Sequence, residues 1–167
     1  MKVVTAFLLL ALPSFAVGSG SPVTDWMETY YLTKDDAQLA SFWDRTAARG
    51  AFQADVKMRE KLIGFFGAVF RSHPELLKSR IKGVPTTPGV QQDAIALILW
   101  WSDQEYSRRL LRDAGLVEMA NLPVPAVSGR RILTEDDSDF LYGWYSATGD
   151  TAALAPLATH IQQADWA

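Results

Sequence analysis

The chain has 167 residues, 49% hydrophobic and 21% charged, which are the proportions of one globular domain without low-complexity tracts. Its formal net charge is −3 and its basic residues are scattered among acids, which excludes the concentrated positive face of a nucleic-acid binder. Cysteine is absent and there are two histidines, so disulfides and thiolate chemistry are excluded, and neither a metal site nor a cofactor is expected.

The amino terminus reads as an export signal. Met1-Lys2 is a short positive region, Val3 to Leu12 is apolar, Pro13 breaks the run, and small residues follow. Ser14-Phe15-Ala16 fits a signal-peptidase site, with Ala16-Val17-Gly18 as second choice. An apolar run this short falls well below the roughly 20 residues needed to span a bilayer. The expected organisation is a signal peptide over residues 1–18 and a single all-helical domain over 19–167. No membrane span is expected after the signal is removed, and the mature protein is expected in the periplasm or outside the cell.

Beyond the leader Ser19 to Pro22, Thr24 is a candidate cap for a helix from Asp25 to Leu32, with Trp26, Met27, Tyr30 and Tyr31 on its apolar rows. Thr33-Lys-Asp-Asp36 reads as a capping box for a second helix, running to about Arg49 and stopping at Gly50. Its inward residues are Leu39, Phe42 and Trp43.

Phe52 to Arg71 is the longest periodic segment. Phe52, Val56, Ile63, Phe66 and Phe70 form one stripe, widened by Met58, Leu62, Phe65 and Val69. Gly64, Gly67 and Ala68 lie opposite, where another backbone can approach. Asp55 and Arg59 sit inside the apolar arc, spaced i, i+4 so that they can pair, either in solvent or lining a pocket or interface. His73-Pro74 starts the next helix, Glu75 to Lys82, because proline suits the first helical position. His73 has no orienting partner nearby in sequence, so a helix-start role is simpler than catalysis. Lys78, Arg80 and Lys82 suit a helix carboxyl end.

After the loop Val84 to Gly89, with Thr87 as cap and Pro88 at the first helical position, Ala94 to Trp101 is wholly apolar. A helix apolar all round is buried, so this one is expected at the bundle's centre. Trp100-Trp101 closes it, as core packing or as a stacking platform for sugars. Ser102-Asp-Gln-Glu105 reads as another capping box, for a helix with Tyr106, Leu110 and Leu111 inward and Arg108, Arg109 and Arg112 outward. A short apolar turn at Val117 to Met119 leads into an irregular loop, Asn121 to Gly129.

Thr134-Glu-Asp-Asp-Ser-Asp139 resembles an acid cluster, but Thr134 with Asp137 forms a capping box, and Glu135 and Asp136 suit the first turn. Asp139 lies beyond that turn and is the acid left for a specific role. The following segment, Phe140 to Asp150, reads as an aromatic helix with Phe140, Leu141, Trp144 and Tyr145 on one face. Gly143 suggests close approach of a neighbouring backbone, Gly149 a left-handed stop, and Asp150 the cap of the next helix. That helix, Thr151 to Gln163, contains Pro156, which should kink it or delay its start. His160 is expected to be exposed, and Trp166 to fold back or meet a partner.

The fold expected is all-α, a bundle or array of about seven to eight helices arranged as hairpins. It is tetratricopeptide-like at most, since the spacing is irregular and the consensus residues are missing. Phosphate loops, His-Glu-x-x-His, calcium loops and Gly-x-Ser-x-Gly are absent from the sequence. Asp139, Gly143, Ala147, Thr148, Gly149 and Asp150 match an Asp-x-x-Trp-Gly-x-Phe-x-Ala-Thr-Gly-Asp-like segment, with Tyr142 and Tyr145 replacing its tryptophan and phenylalanine. In this the chain resembles a family of uncharacterised exported bacterial helical proteins. The resemblance implies an all-helical exported protein and no particular activity.

The function expected is binding of another envelope protein, as an inhibitor or immunity-type partner. Asp139, Tyr142, Trp100, Trp101, Asp55 and Arg59 are the candidate contacts. One rival is a cell-wall hydrolase with Asp139 as acid or base and Trp100, Trp101 or Trp144 as sugar platform. A second is a structural part of an envelope assembly.

Overall fold

The long apolar stripe after Phe52 organises the molecule. A computed structural model describes residues 22–48 and 50–164, and among them every regular element is helical. The expected signal peptide, Arg49 and Trp166 lie outside the described residues. In chain order the helices are α1 (Pro22–Thr33), α2 (Asp36–Ala48), α3 (Ala51–Ala54), α4 (Val56–Ser72), α5 (Pro74–Arg80), α6 (Val90–Ser102), α7 (Glu105–Asp113), α8 (Val117–Asn121), α9 (Glu135–Thr148) and α10 (Ala155–Ala164). Short 3-10 turns occupy Val127–Gly129 and Thr151–Leu154.

The centre is α4, not α6 as the apolar run suggested. Residues Leu62 through Phe70 of α4 are all buried, and the helix packs against both α9 and α6. Its closest seam is with α9, where the two backbones touch through a reciprocal glycine pair. A Cβ on Gly64 would fall on the Phe140 carbonyl, and one on Gly143 would fall on the Lys61 carbonyl. Gly67 plays a similar part toward α6, where a Cβ would lie 2.8 Å from Trp101 Cβ. The α4–α9 contact joins segments distant in sequence. Any repeat character therefore stops at local hairpins, since a solenoid repeat contacts its neighbours alone.

Aromatic rings fill both sides of α4. Trp26 and Tyr30 from α1, Phe42 and Trp43 from α2, Phe52 from α3 and Phe65, Phe66 and Phe70 from α4 form one network, with centroids 4.8–6.3 Å apart. Tilted and edge-to-face contacts dominate, the geometry favoured by ring quadrupoles. On the other side Trp101, Phe140 and Trp144 pack together, and Trp101 meets Trp100 at 4.9 Å.

Several helix ends differ from those the sequence suggested. α1 begins at Pro22, which places Thr24 within its first turn rather than before it. The cap of α2 is Asp35, whose carboxylate accepts from Gln38 N at 3.0 Å, while Thr33 bonds back to Tyr30 O. Phe52 to Arg71 is not one helix. Asp55 adopts an extended backbone and accepts from Lys57 N at 3.1 Å, so it caps α4 and splits the segment. A short acidic side chain satisfies orphan N–H groups better than it fills a helix interior. Val56 is consequently exposed.

α6 starts at Val90 after Gly89, whose φ of 144° favours glycine, and so begins beyond Thr87 and Pro88. Ser102 does not cap α7 either. Its hydroxyl is buried at the end of α6, donating to Leu99 O at 2.7 Å and meeting Ser107 Oγ, while Asp103 turns left-handed to end the helix. The carboxyl-terminal corner matches its sequence signals. Gly149 has φ 72°, Asp150 accepts from Ala152 N at 2.9 Å, and the start of α10, which carries Pro156 in its first turn, is delayed by a 3-10 turn.

Candidate functional site

The residues left open by the sequence, Asp139 and Tyr142, fall on the same side of α9, and the fold adds neighbours from α1 and α4. Tyr145 follows one turn later. Tyr31 of α1 sits beside it with ring centroids 5.1 Å apart, and covers Gly149, where a Cβ would meet the Tyr31 ring at 2.9 Å. Glycine at the corner thus both permits the left-handed turn and makes room for Tyr31. Lys61 of α4 places its ammonium 4.8 Å from the Tyr142 ring centroid, within cation–π range. Further along, Lys57 pairs with Glu135 at 3.0 Å, largely in solvent. At the opposite end Lys34, in left-handed conformation, donates to Ala147 O at 2.7 Å. The result is a strip that runs from acids and lysines to three tyrosines.

Its electrostatics follow from partial burial. Asp139 is half-buried, and desolvation raises its carboxyl above the ordinary value, against the pull of Lys61 and Lys57 and with help from Asp136 and Asp55. Burial also raises the Tyr142 phenol, assisted by Glu28. The Tyr145 phenol is raised chiefly by its hydrogen bond with Tyr31. Lys34 is lowered by desolvation, and Lys57 is raised by its bond to Glu135. Raised phenols hold their protons more firmly, so Tyr142 keeps a hydroxyl donor at the surface, while Tyr145 shares its hydrogen bond with Tyr31.

The other candidate residues are not part of this strip. Asp55 and Arg59 do not pair, because Asp55 is spent on the α4 cap and Arg59 Nε faces Glu60 at 3.5 Å. Glu60 is itself half-buried, and desolvation raises its carboxyl despite Arg59. Trp101 is 2% exposed and Trp144 7%, so neither can offer a ring face to a sugar. Trp100 is half-buried and tethered by its indole N–H to Leu122 O at 3.2 Å.

Two groupings were not legible in the sequence. Arg130 lies over the Phe140 ring at 4.4 Å and Trp101 at 5.5 Å, while its Nε and Nη2 reach Asp137 Oδ1 at 3.0 and 2.6 Å. The other oxygen of Asp137 accepts from Leu133 N and Thr134 N, completing the capping box read from the sequence. Burial pushes the Asp137 carboxyl up, but these bonds outweigh it and hold it below the ordinary value. His73 gains partners that its sequence neighbourhood lacked: Nδ1 donates to Val69 O at 3.0 Å, and Nε2 lies 3.6 Å from Asp36 Oδ1, which also accepts from Tyr30 OH. These contacts tie α1 and α2 to the α4–α5 junction.

Among the described residues no group of histidine and acids is placed to hold a metal ion, and no helix is long and apolar enough to cross a membrane. Fold and strip together define an all-helical protein with an aromatic and charged face along α9. No family model, curated protein or solved structure matches the chain.

Proposed function

We propose that the protein is a periplasmic or secreted binding domain, and that the α9 strip is where it holds a partner protein. The observation that carries this reading is the clustering of Tyr31, Tyr142 and Tyr145 at the surface, with Lys61 against one ring. Tyrosine is enriched at interface hot spots, since it offers a large rigid ring and a hydroxyl at low entropy cost. Leu32, 69% exposed beside Tyr31 in sequence, adds apolar surface. The amino-terminal apolar run and the likeness of the Asp139–Asp150 segment to exported helical proteins support the location. An inhibitor or immunity-type role fits a small helical protein that presents one such face.

The hydrolase reading keeps only the half-buried Trp100 of its three candidate platforms, because Trp101 and Trp144 face the core. The test is retention of a partner from envelope extract by wild type and by Tyr142→Ala at equal loading. Loss of about tenfold or more with an unchanged melting curve supports the proposal, in line with the cost of removing a hot-spot residue. Equal retention by both proteins, or a wild type that retains nothing, overturns it.

A further inference from the structure

Basic residues of α5, of the turn just after it and of α7 read from sequence as unrelated surface features, yet they meet. Lys78 and Lys82 on one wall and Arg109 on the other border a trough of about 480 Å³ with Tyr106 and Glu105. The Tyr106 hydroxyl donates to Ile81 O at 2.9 Å, which fixes its ring as the floor. The Arg109 guanidinium lies 5.1 Å from that ring's centroid. The acid lining the trough, Glu105, is matched by Arg112 at 3.3 Å, and Lys78 pairs with Glu75 outside it at 2.8 Å. Among the described ion pairs none involves Lys82 or Arg109. Lys82 donates to the Lys78 carbonyl, a helix-end contact that accounts for its position. Arg109 sits in the middle of α7, where no helix end asks for a cation.

We propose that this trough docks an acidic peptide segment of a partner protein, with Arg109 and Lys82 taking its carboxylates and the Tyr106 ring its aliphatic stems. An excess of cations in a chain of net charge −3 gives the site its complementarity. The cations line two walls of an open trough instead of converging on one point, which suits an extended segment. A guanidinium held beside a ring presents its planar fork to a carboxylate. The residues are separate from the α9 strip. This inference shares with that reading the premise that the protein binds proteins, but it can fail alone.

The test is fluorescence anisotropy of a labelled hexaglutamate peptide against the full chain at low and at physiological salt. Binding should be present at low salt, weaken as salt screens the charges, and fall about tenfold or more in Lys82→Glu/Arg109→Glu. The double reversal Arg45→Glu/Arg131→Glu makes the same charge change at exposed sites elsewhere and should bind like wild type. Far-UV circular dichroism should show both variants fully folded at the assay temperature, with a melting midpoint well above it. No binding by wild type, equal binding by Lys82→Glu/Arg109→Glu, or equal loss in the control overturns the proposal. So does wild type that sediments with phosphatidylglycerol vesicles while ignoring the peptide, since the trough would then serve a lipid surface. None of these outcomes alters partner retention by Tyr142→Ala, so the two proposals are judged separately.

Discussion

Replacing Gly143 by alanine should destabilise the protein, although the same change in an ordinary helix interior would gain up to about 1 kcal/mol of helix propensity. The added Cβ would lie 2.8 Å from the Lys61 carbonyl carbon and 3.1 Å from its Cα, and it would overlap the carbonyl oxygen. The obstacle is backbone, so no rotamer change relieves it, and α4 and α9 must separate. A gap of roughly 0.5–1 Å forfeits a quarter to a half of each dispersion contact along the seam. Phe140, Leu141, Ile63 and Trp144 are all buried near this contact. Losing part of their packing and adding overpacking strain costs more than the propensity gain, for a net of about 2–4 kcal/mol. Thermal unfolding followed by far-UV circular dichroism should show a midpoint about 5–15 °C lower. Gly83→Ala is the control, since nothing lies within 4 Å of its Cβ, and it should change stability by no more than about 0.5 kcal/mol. A Gly143→Ala protein that melts at or above wild type would refute the close backbone seam.

Other perturbations test other parts of the account. Trp101→Ala should cost about 3–5 kcal/mol, read by urea unfolding, because the ring is buried against Phe140 and Trp144. Asp137→Asn should cost about 2–4 kcal/mol at neutral pH, since it weakens the Arg130 pair and the bonds from Leu133 and Thr134. The folded carboxyl of Asp137 is held low, so its contribution is present above the unfolded value and is lost as pH falls through the folded one. Asp139 has the opposite sign. Its folded carboxyl is raised, so its favourable contribution is present below the unfolded value and lost as pH rises through the folded one. Asp139→Asn should therefore raise the melting midpoint at pH 7, with the gain vanishing below about pH 4. A neutral or harmful effect at pH 7 would contradict the desolvation argument.

What could be read from the sequence was what is decided locally. The joint at Gly149, Asp150 and Pro156 depends on backbone conformation, one cap and one missing donor, all within a few residues. The small residues Gly64, Gly67 and Gly143 marked close approach correctly, but which helices approached was not legible. Misreadings arose where one residue type has two uses. Asp55 could pair with Arg59 or cap a helix, and Ser102 could cap or bury its hydroxyl; burial and orphan N–H groups, invisible in sequence, decided both. The pairing of Arg130 with Asp137, the neighbours of His73 and the meeting of Tyr31 with Tyr145 join distant segments, so no local pattern announces them. Capping and core packing leave Asp139 and Tyr142 unexplained in the sequence, and the fold sets the half-buried Asp139 and the more exposed Tyr142 on one side of α9.

The central claim is that this strip contacts a partner. Its most direct test is a photocrosslinking phenylalanine analogue placed at Tyr142 in one strain and at Leu133 in another. Leu133 is 81% exposed and more accessible than Tyr142, so surface exposure alone would favour crosslinking there. The account predicts, on irradiation of intact cells, a discrete protein adduct from position 142 and none from position 133. Adducts of equal yield from both positions, or an adduct from 133 alone, would contradict it.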